Sequence, residues 1–334
     1  PAFSGRLREA MAERIIREEQ TLLFLNRRGF SSFVQCLDCG FVFGCPNCNL
    51  SLTYHRVERR LKCHHCDEQM EMTDICPQCR GCRLRPFGLG TQQVEEEVRR
   101  IFPSARIARL DRDIARRVAA VPQILRGLRE GEIDILIGTQ MVTKGHDFPR
   151  ITLVGVVSAD ASMNIPDFRA GENTFQLLTQ VAGRAGRGDV PGEVIIQTYN
   201  PTHYAVLSAQ GHDYDGFYAQ EIAFRRRLHY PPWERVIGIC LESVNEAKTE
   251  EAAVRLGKLL RASSSFLRGV RILGPSRAIL SRLRNRYRWR LWLYGADSGR
   301  LHSLLGEALE RYHGSSSSFK NVKIQVDVDP LDLL

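Results

Sequence analysis

Apolar residues recur at helical spacing over residues 4–19, and Thr21-Leu-Leu-Phe-Leu25 follows as an unbroken apolar run ending in Asn26-Arg27-Arg28-Gly29. The first pattern predicts an amphipathic helix, the second a buried strand closed by a turn. After Gly90 the two patterns alternate. Helical spacing covers 91–102, 112–130 and 172–183; strand-like runs cover Arg106–Leu110, Ile133–Ile137, Ile151–Val157 and Glu193–Thr198. Strands with almost continuous β-branched residues, separated by helices, predict a parallel sheet covered on both faces, an α/β fold.

Asn200-Pro201 opens a helical connector that runs through Arg225-Arg226-Arg227 to Pro231-Pro232. Beyond it the pattern restarts. Glu234–Val244, Val270–Leu273, Trp289–Tyr294 and Val322–Val328 read as strands, and 246–261 and 299–312 as helices. That β-α-β-β-α-β order predicts a small split-βαβ domain of α+β type. The serine runs 263–265 and 315–318 read as loops. The predicted division is 1–34 with 85–200 as one α/β domain, 35–84 as an insertion, 201–231 as connector and 232–334 as the C-terminal domain.

The chain has 334 residues and is 43% apolar, enough to bury more than one core. Its net charge of +9 favours a polyanionic partner, nucleic acid first, although an inert basic surface would look the same. Arginine greatly outnumbers lysine, which suits bidentate phosphate contacts; a GC-rich genome would bias composition the same way. No apolar run approaches the length of a membrane-spanning helix. No signal peptide opens the chain, so a cytoplasmic protein is expected, and the start at Pro1 within a helical pattern predicts a piece of a longer protein.

Nine of the ten cysteines lie between Cys36 and Cys82, and four C-x-x-C pairs stand at Cys36/Cys39, Cys45/Cys48, Cys63/Cys66 and Cys76/Cys79. Each pair offers two thiolates from one tight turn, and two turns complete a tetrahedral site, so eight thiolates predict two closed structural Zn²⁺ sites. The segment Asn49–Lys62 between the inner pairs, with Leu52-Thr-Tyr54 and Arg60-Leu-Lys62, reads as a hairpin. Inner pairs would then share one ion and outer pairs the other. Cross-braced pairing, or Cys82 in place of Cys76, also fits the spacing. His64 and His65 are expected to be bystanders, Cys240 a core residue, and Phe41, Phe43 and Tyr54 the module's small core, with base stacking as the alternative.

Two further segments carry chemistry. Gly138-Thr139-Gln140 runs on through Thr143-Lys144-Gly145 to Asp147-Phe148-Pro149 directly after a predicted strand. Gln180, Arg184 and Arg187 are spaced i, i+4, i+7, which on a continuous helix puts all three on one face. Gly183 and Gly186 beside them would admit another surface, so that two guanidinium groups could meet a triphosphate across a cleft. The plain alternative is a helix with two surface arginines and a glycine-weakened end.

These segments resemble motifs V and VI of superfamily 2 helicases. With Asn26-Arg27-Arg28-Gly29-Phe30, the inserted cysteines, Phe87-Gly88-Leu89-Gly90-Thr91, Leu110-Asp111-Arg112-Asp113, Pro231-Pro232-Trp233 and Asp327-Val328-Asp329-Pro330, the chain resembles the C-terminal part of the PriA family of bacterial replication-restart helicases along essentially its whole length. The resemblance implies a RecA-like second motor lobe with an inserted two-zinc module, in an ATP-dependent 3′-to-5′ DNA helicase that binds abandoned forks and assembles the primosome. It implies that Arg184 and Arg187 reach ATP with its Mg²⁺, that Gly145 and Asp147 lie at the ATP edge, that Thr139 and Lys144 face the DNA backbone, and that Gln180 couples the two. It implies Cys36, Cys39, Cys76 and Cys79 for one ion, and Cys45, Cys48, Cys63 and Cys66 for the other. Expected partners are forked and single-stranded DNA, the single-strand-binding protein and primosome loading proteins, around a nucleoid-associated monomer. The stretch Arg282–Arg290, with Tyr287 and Trp289 interleaved, suits DNA contact and equally a solvated amphipathic strand. No G-x-x-x-x-G-K-[ST] and no Asp-Glu-x-His box occurs, so the lobe that holds ATP is expected elsewhere and this chain alone is expected to be inactive. A zinc-dependent nucleic-acid-binding module without motor activity, or another superfamily 2 translocase, is the competing function.

Overall fold

The computed structural model describes residues 2–26, 33–48, 50–55, 58–86, 90–116, 119–143, 148, 150–186, 190–264, 269–314, 321–331 and 333, with the side chains of 112, 113, 141 and 143 excepted. It divides into two compact units, residues 1–29, 87–163 and 170–218 in one, and 30–86, 164–169 and 219–334 in the other.

The first unit is the expected α/β fold. Its five strands are all parallel, in the order Glu193–Ile196, Ile151–Val156, Gln20–Phe24, Ile135–Gly138 and Ile107–Leu110. The strand before the cysteine block is central, and alternate side chains on it explain why the run is apolar throughout. Leu22 and Phe24 join one core with Leu136, Val154, Leu128, Phe175 and Leu178. Leu23 and Leu25 join the opposite core with Leu7, Met11, Val94, Val98 and Ile137. Helices Ala120–Glu130 and Ala170–Ala182 therefore cover one face, and Gly5–Ile16 and Thr91–Ile101 the other. Ser4 caps the first helix, its hydroxyl accepting from the Leu7 N–H at 3.3 Å. The predicted helix 112–130 is instead two, Arg112–Ala115 and Ala120–Glu130. Pro122 stands in the first turn of the second, where a missing N–H is harmless.

The second unit holds the C-terminal domain, whose element order is the expected β-α-β-β-α-β. Its antiparallel sheet runs Arg271–Leu283, Arg286–Gly295, Arg235–Ser243, Lys323–Val328. Ile237, Ile239, Leu241, Leu291 and Leu293 pack under helices Glu246–Ser264 and Ser298–Gly314. Val236, Trp292 and Tyr294 alternate with them onto the other face, with Phe168, Tyr230 and Leu333. Strand Arg271–Leu283 is much longer than the expected Val270–Leu273 because it continues into a long hairpin with Arg286–Gly295. Ser263 and Ser264 belong to a helix, not a loop, and stand half-buried one turn beyond Leu260 on the face that buries Leu256 and Leu260; Ser265 and residues 315–318 lie outside the described ones. The connector is two helices, Tyr204–Gln210 and Tyr214–Arg227, and the boundary between the units falls inside the second.

Leu23 is fully buried at the centre of the sheet. Leu23→Ala is expected to lower the stability of the first unit by about 2–5 kcal/mol, read from a urea unfolding curve.

Candidate metal centre and motor segments

The eight thiols gather into two groups, Cys36, Cys39, Cys76 and Cys79, and Cys45, Cys48, Cys63 and Cys66, with the sulfur atoms of each group within 4.8 Å of one another. Sγ–Sγ separations of 3.6 Å (Cys36–Cys79), 3.7 Å (Cys39–Cys76) and 3.5 Å (Cys45–Cys66) exclude disulfides, which need about 2.05 Å. They match the edge of a tetrahedron around Zn²⁺, about 3.8 Å for Zn–S bonds of about 2.3 Å. The donor set is all thiolate and complete at four, so each ion would be a closed structural cross-link. Cys82 is exposed and belongs to neither group.

Each knuckle is built by the same backbone pattern. The N–H of the first cysteine donates to the carbonyl five residues on: Cys36 to Phe41, Cys45 to Leu50, Cys63 to Glu68 and Cys76 to Gly81. In three knuckles the fourth residue donates back to that cysteine's carbonyl: Gly40 to Cys36, Asp67 to Cys63 and Arg80 to Cys76. Those three residues have φ of 80°, 68° and 64°, so the turn demands a left-handed residue, which glycine supplies without strain and Asp67 and Arg80 do not. The predicted hairpin is present, with Thr53–His55 antiparallel to Arg60–Lys62 and a third strand, Gln69–Glu71, beyond it. Phe43, Leu50, Leu52 and Leu61 form the module's core, and Phe41 meets Phe43 edge-on at 5.0 Å, so the aromatics are packing residues.

Four thiols this close cannot ionise alike. In the inner group Cys45 accepts from Cys48 and Cys63 and is drawn down to about 7, while Cys48, the donor, is pushed up. A cation displaces the remaining protons, so uptake releases protons and weakens as pH falls.

His64 and His65 are not ligands, as expected, yet they are not idle. Both are buried, which lowers each imidazole to about 4 and keeps it neutral. His64 Nδ1 donates to the Arg277 carbonyl at 2.7 Å, and the His65 Nε2 pairs with the Tyr294 hydroxyl at 2.7 Å. Sequence reasoning missed this role, although two imidazoles between two ligands were a signal. Cys240 is only half-buried, because it lies on the sheet face opposite the main core.

Of the two segments that resemble helicase motifs, the described residues Thr139 and Arg184 lie toward opposite ends of the parallel sheet. Thr139, buried, follows strand Ile135–Gly138 at the carboxyl edge and begins a single 3₁₀ turn, Gln140–Thr143. Helix Ala170–Ala182 stops before Arg184, so Gln180 is helical and Arg184 lies beyond the helix rather than on a continuous face with it. The 3₁₀-type bonds Arg184 N–H to Val181 O (3.0 Å) and Ala185 N–H to Ala182 O (3.2 Å) tighten the end. Gly186 then turns left-handed at φ 67°, and its N–H donates to the Ile151 carbonyl at 3.1 Å, the amino edge of the sheet. Gln180 is exposed in the last helical turn and Arg184 half-buried just beyond it. The close approach that Gly186 permits is to its own chain, since a Cβ there would lie 2.3 Å from the Gly192 nitrogen; Gly183 faces no such contact. Strand Ile151–Val156 has six residues, so the Thr139 edge and the Arg184 edge stand about 16 Å apart. Lys144, Gly145, Asp147 and Arg187 lie outside the described residues.

Two other quoted segments have structural tasks. Buried Asp111 accepts from the Thr91 hydroxyl at 2.7 Å and caps the Ile114 N–H, tying the start of one helix to the next. Asp329 accepts from Arg235 at 3.0 Å, closing the C-terminal sheet. In the hairpin, Arg284 and Asn285 have φ of 49° and 62°, the conformation of a tight two-residue turn. Arg282 covers Tyr287 at 5.1 Å, and Trp289 is buried in the core, so only Tyr287 of the two aromatics keeps exposure.

Metal analysis of the purified chain is expected to give two Zn²⁺ per molecule, about one after Cys66→Ser and still two after Cys82→Ser. Gly186→Ala is expected to lower the unfolding midpoint of the first unit, because the new Cβ meets both an unfavourable φ and the Gly192 backbone; Gly183→Ala should leave it unchanged.

Residues 226–331 match the family described as Primosomal protein N C-terminal domain, residues 45–70 the PriA DNA helicase Cys-rich region, and residues 89–189 the helicase conserved C-terminal domain. Proteins named replication restart protein PriA are similar to this chain. That of Bacillus subtilis is 45% identical over 98% of this chain and 40% of its own length. Those of Synechocystis and Treponema pallidum are 41% and 40% identical over 99% and 94% of this chain, and 39% and 47% of their own lengths. The chain thus spans less than half of these relatives. With three family matches in chain order and relatives aligned along nearly all of it, the chain belongs to the PriA family of replication restart proteins.

Proposed function

We propose that this chain is the second motor lobe, zinc module and C-terminal domain of an ATP-dependent 3′-to-5′ DNA helicase that recognises stalled or abandoned forks and restarts replication by primosome assembly. The observation that carries the reading is the parallel sheet with one conspicuous segment at each end, Thr139 at the carboxyl edge and the Arg184 turn at the amino edge. A translocase needs such separation, because nucleotide and DNA must be gripped at different places by one rigid body. The names of the similar proteins support the replication role.

In this reading Arg184 and Arg187 offer guanidinium groups to the triphosphate held by the partner lobe, where they stabilise charge developing on the transferred phosphoryl group. By the family resemblance Gly145 and Asp147 would serve the nucleotide, Thr139 and Lys144 the DNA backbone, and Gln180, one turn before Arg184, would couple the two. ATP and Mg²⁺ supply the phosphoryl chemistry when bound. This chain contains no phosphate-binding loop sequence, so by itself it turns over no ATP. The two zinc ions shape the insertion. Residues 1–34 with 85–200 act as the motor part, 35–84 as the zinc insertion, 201–231 as the connector and 232–334 as the C-terminal part. The partners are forked and single-stranded DNA, with single-strand-binding protein and loading proteins, in a cytoplasmic, nucleoid-associated monomer.

Arg184→Ala in the full-length protein tests the reading. ATP turnover with forked DNA should fall about 10³-fold or more, while fork binding stays within about twofold. Retained turnover, or a parallel loss of DNA binding, would sink it.

A further inference from the structure

We propose that the inner metal site is a fastener: the knuckle Cys63-His64-His65-Cys66, held in shape by its ion, locks the zinc module onto the C-terminal sheet through the two histidines between its ligands. Loss of this one ion would release the strands that carry the arginine hairpin, whereas loss of the outer ion would not.

The contacts are specific and buried. The His64 carbonyl accepts from the Ser276 hydroxyl at 2.8 Å, and Ser276 is fully buried. The Arg277 carbonyl can only accept, so His64 carries its proton on Nδ1. The neutral ring then presents Nε2 as an acceptor, and His55 Nε2 donates to it at 3.0 Å, which ties the knuckle to the neighbouring hairpin strand. His65 reaches the Tyr294 hydroxyl and lies 5.5 Å from the Trp292 ring and 5.4 Å from that of Tyr294. The other inner knuckle contributes the Cys48 carbonyl, which accepts from the Tyr230 hydroxyl at 3.0 Å. Among the described residues, the outer knuckles at Cys36/Cys39 and Cys76/Cys79 make no hydrogen bond to residues 219–334.

The strand gripped by His64 is the edge strand of the sheet, and its register with Arg286–Gly295 shifts on both sides of Ser276-Arg277. An edge strand with two irregularities has little ladder support of its own, so an outside partner at that place matters. Beyond it the chain carries Arg277, Arg282, Arg284, Arg286, Arg288 and Arg290 with no acidic residue among positions 277–290. The knuckle thus grips the base of the most basic element in the chain. The ion is needed because the two histidines sit on a two-residue loop whose shape is set by its flanking ligands, in a module whose strands are only three residues long.

The test uses the full zinc-loaded chain, with zinc content, tryptophan emission and amide hydrogen exchange as readouts. His64→Ala combined with His65→Ala should keep two Zn²⁺, yet raise exchange across residues 273–290 at least tenfold and shift the Trp292 emission. Cys66→Ser should lose one ion and show the same exchange. Cys79→Ser should also lose one ion and leave residues 273–290 protected. Tyr294→Phe leaves the knuckle's own sequence intact; both ions should stay while exchange at residues 64–67 rises at least threefold. Full protection in the double-histidine or Tyr294→Phe protein with both ions bound, or equal effects of the inner and outer cysteine changes, overturns the proposal.

Discussion

An insertion into a sheet has to return the chain close to where it left, and here that constraint falls on the strand pair Val34–Cys36 and Leu84–Pro86. Their antiparallel ladder, Val34 opposite Pro86 and Cys36 opposite Leu84, brings the two ends of the cysteine block together. The outer thiol group sits on the same pair, since Cys36 is both a ladder residue and a ligand, and Cys76 and Cys79 lie just upstream of the return strand. Strand Gln20–Phe24, before the block, must pair with Ile135–Gly138 and Ile151–Val156 far beyond it. Closing so long a loop costs entropy, and a metal cross-link at its base offsets part of that cost.

The two sulfur groups therefore have different neighbours and different mechanical tasks. The outer one closes the insertion on itself. The inner one organises the small hairpin sheet and presents His64 and His65 to the C-terminal strands. A single count of eight cysteines would treat the ions as equivalent, whereas the hydrogen bonds do not. In the parallel sheet the same economy applies: one layer of strands keeps Thr139 and Arg184 at opposite ends while both cores stay filled.

Much of this was legible because period and spacing are local. The unbroken apolar run Leu22 to Leu25 implies a strand buried on both faces, C-x-x-C spacing implies paired knuckles, and the C-terminal order of elements implies its antiparallel sheet. Element ends were less legible: the first helix reads as 4–19 from its pattern, whereas it begins after its cap Ser4 and stops at Ile16. The helix carrying Gln180 reads as 172–183 and spans Ala170–Ala182, but the i, i+4, i+7 spacing suggests a helical face running on past it, whereas Gly186 turns left-handed toward the Ile151 carbonyl.

By itself the sequence determined the kind of each element, the thiolate chemistry of the insertion and the membership of its motifs in one helicase-like set, since all of these follow from residue type and short-range periodicity. Only the tertiary structure decided which thiols share a group, that Cys82 stands apart, that Asp111 holds Thr91, and that two histidines beside the ligands grip Arg277 and Tyr294. Those pairings join residues tens to hundreds of positions apart. Their energies depend on burial and mutual geometry, and no local spacing encodes which distant partner will complete a neutral imidazole's hydrogen bonds.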